Sequence, residues 1–204
     1  TSGLELSALG AVLRSGWQFS TWRLRPILEL GYASGDADPY DGVITQFSFD
    51  PDFRVGLILY DVLLRQITAM AAQEAADPRR VGYPVSGTEE LPSSGQVSNS
   101  IYLLFTLEHR PLERFRLLAG VLCAFSATPF YQTYQTFAHG GVPTNLYGRT
   151  DPGRHLGTEF DLAADWTQPL FDQLKLLAGV QVGWFLPGDA FERPDGTLPG
   201  VVSR

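Results

Sequence analysis

The stretch "WRLRPILELGYASGD" (22–36) alternates with a period of two. Trp22, Leu24, Pro26, Leu28, Leu30 and Tyr32 are apolar, whereas the intervening positions carry Arg23, Arg25 and Glu29. Successive side chains of a strand point to opposite faces, so one face is apolar and the other holds charge. A fold that accepts this strand has to offer a dry medium on one side and water on the other.

The same period recurs in six segments, roughly 4–14, 22–33, 100–109, 114–126, 155–166 and 174–186. Short links at 15–21, 110–113 and 167–173 alternate with long ones at 34–99, 127–154 and 187–200, and "VVSR" (201–204) reads as the start of a seventh strand. "RPLERFRLLAGV" (110–121) and "QPLFDQLKLLAGV" (168–180) repeat one another with a one-residue insertion, each a tight turn feeding a strand. Gly 21, Pro 14 and 12% aromatic residues suit a β protein with many turns. The expected fold is an all-β antiparallel up-and-down meander, either a soluble barrel or an outer-membrane one. A helical membrane protein is excluded, because the longest clear apolar run is "LLAGVLCAF" (117–125).

Three features favour the membrane form. Aromatic residues sit at both ends of the apolar phase: Trp22 and Tyr32, Phe115 and Phe125, Trp166 and Trp184. They match rings at the two interfaces of a bilayer crossed by tilted strands of about 10 residues. The opposite phase offers Arg23, Arg25, Glu29, Glu108, Arg116, Glu159, Asp161, Asp165 and Lys175, which a water-filled lumen accommodates and a small dry core does not. The loop asymmetry matches short periplasmic turns and long outer loops. The segment 4–14 stays ambiguous, because Leu9 and Leu13 interrupt its polar phase. Both chain ends are expected on the outer side, and six strands are fewer than the eight of the smallest such barrels. Residues 1–204 therefore read as one partial barrel domain, a fragment that would be a monomeric barrel at full length.

The loop 34–99 contains "LYDVLLRQITAMAAQEAADP" (59–78), read as a helix near 59–76 with Asp61 as N-cap and Tyr60, Leu64, Ile67, Met70 and Ala71 as one stripe. Folding into the lumen as a constriction and packing on the outer rim are equal alternatives for it. Asp36, Asp38 and Asp41 could supply oxygen ligands to a cation, although their spacing misses the EF-hand pattern by one residue, and backbone turn chemistry explains them as well. The loop 129–149 interleaves aromatics with Gln, Thr and Asn, a mixture suited to sugar binding or to self-packing. His155 shares the polar phase with Glu159 and Asp161, but no nucleophile motif, phosphate loop or Cys/His cluster accompanies it. Neither an enzyme nor a cofactor or metal requirement is expected. The net charge of −7 argues against nucleic acid as a partner, and the single Cys123 excludes an internal disulfide framework.

"YASGD" followed by "DG", then "FDPDF", and later "GWFLPGDAF" (183–191), resemble loop and strand stretches of alginate-export-type outer-membrane β-barrels, which are porin-like. The resemblance implies transport of an anionic polysaccharide through a lumen rich in arginine and lysine. The lumen phase departs from this, with Arg23, Arg25, Arg116 and Lys175 set against Glu5, Glu29, Glu108, Glu159, Asp161 and Asp165. The four cations lie near the periplasmic mouth, where a basic collar could admit an anion. The leading expectation is an outer-membrane channel, with the lipid bilayer and a polar solute or polysaccharide as partners. The alternative is a plugged structural or adhesive barrel that binds a surface partner through its loops. A hydrolase is the third reading.

Overall fold

Long alternating segments become long strands. In the computed structural model, which describes residues 5–37, 42–77, 79, 96–140, 142–171 and 174–204, the chain opens with β1 (Glu5–Leu6), β2 (Gly10–Gly16), β3 (Leu24–Ala33) and β4 (Val43–Ile44). A π-helical turn (Leu59–Leu64) runs directly into α1 (Arg65–Ala76). The remaining strands are β5 (Ser100–Leu112), β6 (Phe115–Phe125), β7 (His155–Phe171), β8 (Leu174–Pro187) and β9 (Val202–Ser203). A second helix, α2 (Thr133–Ala138), and a 3-10 turn (Asp189–Phe191) lie in the other two long connections, where the sequence pattern gave no helix.

Seven strands form one antiparallel sheet in the order β2-β3-β5-β6-β7-β8-β9. Apart from the excursions through β1 and β4, which pair in parallel with each other, every strand lies beside its neighbour in sequence. Among the described residues the sheet is open, with β2 and β9 as its edges. The segment 4–14 is thus two elements. Glu5 belongs to the β1–β4 pair and lies off the main sheet. The ambiguous phase of the rest is settled by register: Leu13 pairs with Leu30 on the apolar face and Arg14 with Glu29 on the polar one. The internal repeat corresponds to two hairpins that share an irregularity, since the register shifts between His109 and Leu112 in one and between Pro169 and Phe171 in the other.

The two faces differ along the whole sheet. Leu30, Ile101, Leu103, Phe105, Val121, Phe160, Leu162 and Val180 project from the apolar face and are exposed. On the polar face, the half next to the long connections is covered. Tyr102, Leu122, Ala124, Leu156 and Phe185 of the sheet pack there against Val55, Ile58, Leu59, Tyr60, Leu64 and Ile67 of the 34–99 connection and against Ala190 and Phe191. The core of the chain is therefore half a sheet face and the loops folded over it. The half next to the short turns stays open. Among the described residues no helix is long and apolar enough to cross a membrane, which bears on helices alone.

The polar face as candidate functional site

At the open end, the polar face is built from cross-strand pairs. Arg116 stands opposite Asp165 and donates to its Oδ2 from Nε at 2.9 Å. Arg25 stands opposite Glu108, but Glu108 accepts from Arg110 Nε at 2.5 Å. Arg25 and Lys175 have no ion pair among the described residues. Arg23 lies in the β2–β3 turn with φ of 51° and donates to the carbonyl of Pro111 at 3.2 Å, so it reaches this end from a turn and not from a strand. Arg114 of the β5–β6 turn donates to Gln168 at 2.8 Å. A groove of about 490 Å³ runs past Arg23, Arg25, Glu108, Arg110 and Glu113. A second groove continues it past Arg114, Arg116 and Asp165. Five arginines line them against three carboxylates, an excess of two positive charges. Arg110 shares the phase of Glu108 on β5, which runs on to Leu112, past the expected strand end at 109, whereas Arg114 sits in the turn, where period-two phase has no meaning.

Midway along the face, Glu29 is buried. It accepts from Arg14 Nε at 2.5 Å and from Tyr102 Oη at 2.6 Å. Tyr102 reaches Glu29 because Gly31 opposite it has no side chain: a Cβ there would lie 2.0 Å from the ring.

The covered half holds Glu159, which is fully buried. Its Oε1 accepts the N–H groups of Leu57 and of Ile58 (2.8 Å), and its Oε2 accepts that of Leu59 (2.8 Å). Helix N-termini present unsatisfied N–H groups and partial positive charge, so a carboxylate is the favoured partner. The helix begins after Ile58 with no side-chain cap of its own. The expected N-cap, Asp61, lies inside the π-helical turn and instead pairs with Arg54 and, at 3.1 Å, with Arg204. The helix-bearing connection therefore packs on the polar face of the sheet. Of the expected stripe, Tyr60, Leu64, Ile67 and Ala71 are buried and Met70 is exposed. Tyr60 meets Ser100 hydroxyl to hydroxyl, and burial raises its phenol well above the ordinary value. Asp161 lies two residues along from Glu159, between Gly120 and Gly183; its carboxyl sits beside Glu159 and the Leu57 backbone, and its Oδ1 is buried with no hydrogen-bond partner among the described residues. The charged face is thus open in one half only, because hydrophobic loop residues cover the other.

His155 does not join Glu159 and Asp161. A register shift between Ala124 and Phe125, together with Gly157 at φ of 145°, pairs His155 with Phe125 and turns it to the apolar face. There its ring lies tilted against Phe125, 4.9 Å between centroids, and 3.8 Å from Cys123. Phe115 pairs with Trp166 at the short-turn end, and Trp22 extends from the β2–β3 turn beside Phe19. Tyr32, Phe125 and Trp184 lie toward the other end, with Trp184 paired to Phe160.

Of the three aspartates proposed for a cation, Asp36 accepts from the backbone of Thr45 at 3.2 Å, while Asp38 and Asp41 lie outside the described residues. In the 129–149 loop, Gln132, Thr144 and Asn145 are buried. Asn145 donates to the carbonyls of Ala190 (3.1 Å) and Glu192 (2.8 Å), so these polar groups tie the loop to its neighbour. No protein-family model matches the chain, and no curated protein matches it.

Proposed function

We propose that the sheet is part of the wall of an outer-membrane β-barrel channel that passes a polar solute, with anions favoured at its short-turn mouth. The observation that carries this is the contrast between faces. Across one, large apolar side chains stand exposed from strand to strand, with aromatic rings toward both ends. On the other, Arg23, Arg25, Arg110, Glu108 and Glu113 face an open groove. Exposed apolar surface on this scale calls for a nonaqueous neighbour, and lipid fits a face without charge. The excess of arginine in the groove supports admission of an anion, and the alginate-export resemblance makes an anionic polysaccharide the first solute to try. In this reading the core over Glu159 narrows the lumen.

Planar-bilayer recording tests the proposal. Changing Arg23, Arg25, Arg116 and Lys175 together to Gln is expected to shift the reversal potential toward cation selectivity. Unchanged selectivity would rule out the basic collar. The covered half of the polar face favours a second reading, a plugged barrel with a structural or adhesive role. It predicts no conductance, and loss of partner binding when 129–149 is deleted.

A further inference from the structure

On the apolar face, toward the long connections, two metal-ligating side chains stand together that the groove does not use. Cys123 Sγ lies 3.8 Å from His155 Nε2, and both residues are half-buried. An irregularity puts the histidine there. Without the register shift between Ala124 and Phe125, residue 155 would share the polar face with Glu159 and Asp161. Bulges re-aim side chains in this way and concentrate near functional sites. The imidazole is then held in place. Its ring lies tilted against Phe125, and the backbone N–H of His155 donates to Asp189 Oδ1 at 2.8 Å. A Cβ on Gly188 would lie 2.7 Å from His155 Nδ1, so the missing side chain leaves room for the far edge of the ring. Nε2 is the nitrogen turned to the thiol. As a hydrogen bond the contact gains little, since a thiol is a weak donor and 3.8 Å is long.

We propose that Cys123 and His155 form a binding site for a soft monovalent cation, Cu(I), held between thiolate sulfur and imidazole nitrogen. The spacing fits. An ion with bonds of about 2.0 Å to nitrogen and about 2.3 Å to sulfur sets those atoms roughly 3.5–4.3 Å apart, depending on the angle between the bonds. The donor set fits as well, because thiolate selects Cu(I) and imidazole accepts copper. Among the described residues, no group of three or more His, Cys, Asp and Glu side chains is placed to share an ion. The four-donor shell of structural zinc is therefore not offered here. On binding, the S–H bond of Cys123 breaks, its proton goes to solvent, and a sulfur–copper bond forms. His155 binds as neutral imidazole, with its own proton on Nδ1. No electron moves, because copper enters and stays monovalent. Thiolate and monovalent ion cancel, so the loaded site adds no net charge to an apolar face. A divalent ion would leave a positive charge there. None of this geometry depends on the channel reading.

Titration of the full chain in detergent tests the site, with Cu(I) kept reduced by ascorbate and a chromogenic Cu(I) chelator as competitor. One equivalent of Cu(I) per chain should be withheld from the chelator, and X-ray absorption should show one sulfur and one nitrogen neighbour. Cys123→Ser, which conserves size, should abolish that binding. His155→Phe keeps a ring against Phe125 and removes both nitrogens. It should weaken binding by about a hundredfold, since groups that merely orient a ligand are already worth about 10–100-fold. His109→Ala, near the other end of the sheet, should bind as the unchanged chain does. Bound Cu(I) should also shield Cys123 of the unchanged chain from a maleimide, a readout that needs no variant to fold. Failure to retain Cu(I), equal affinity in His155→Phe, or tighter binding of Zn(II) than of Cu(I) would overturn the site. Conductance enters none of these outcomes, so the channel reading stands or falls separately.

Discussion

Glu29 shows how one residue decides a stretch of this sheet face. It is buried in the middle of a sheet face, yet it is supplied with a phenol donor from one neighbouring strand and a guanidinium from the other. Arg14 is more than half exposed, so solvent screens its part of the interaction and the Tyr102 hydroxyl carries the larger share. Glu29→Ala is expected to lower stability by about 2 kcal/mol, since it strands a buried donor, and Tyr102→Phe by about 1 kcal/mol. Urea unfolding in detergent micelles checks both. A Tyr102→Phe cost near zero would mean that the Arg14 contact dominates after all. Gly31 belongs to the same site, because the space it leaves is filled by the Tyr102 ring.

Among the elements, the helix-bearing segment is the one whose existence was legible and whose position was not. Tyr60, Leu64, Ile67 and Ala71 recur at helical spacing, and that spacing alone places a helix near 59–76. Its partner, Glu159, stands about a hundred residues away on a strand where alternation marks it only as polar. No local signal says that this carboxylate caps a helix. The strands themselves were readable because period two persists for ten residues or more, and both repeat hairpins carried their proline forward into the structure. His155 was misplaced for a physical reason: one bulge at Gly157 inverts the face of everything before it, and a lone glycine gives little warning. The buried phenol of Tyr60 supplies a prediction at this level. Burial raises its ionisation above the usual value near 10, so its contribution is intact below pH 10. As pH rises past that value the unfolded state ionises first, and the contribution is lost. Stability to urea should therefore fall at alkaline pH, and Tyr60→Phe should flatten that fall. A profile that Tyr60→Phe leaves unchanged would assign the alkaline loss elsewhere.

For the molecule as a whole, the decisive question is what covers the apolar face. Val121 lies near the middle of β6, flanked across the sheet by Phe105 and Phe160. Against lipid, Val121→Arg should cost about 2–4 kcal/mol, as a charge near the bilayer midplane does. Against water the same change on an exposed side chain costs almost nothing. Reversible folding into phosphatidylcholine vesicles measures the difference directly, and a cost near zero would remove lipid as the neighbour. The division of the opposite face into a dry half and a wet half has an electrical consequence. In a channel built this way, an applied voltage falls mainly across the narrow, poorly conducting half and hardly at all across the wide arginine-lined mouth. The mouth would then choose which ions enter without feeling the membrane potential. Glu159 would sit inside the field, where each elementary charge that crosses it is worth about 2.3 kcal/mol per 100 mV.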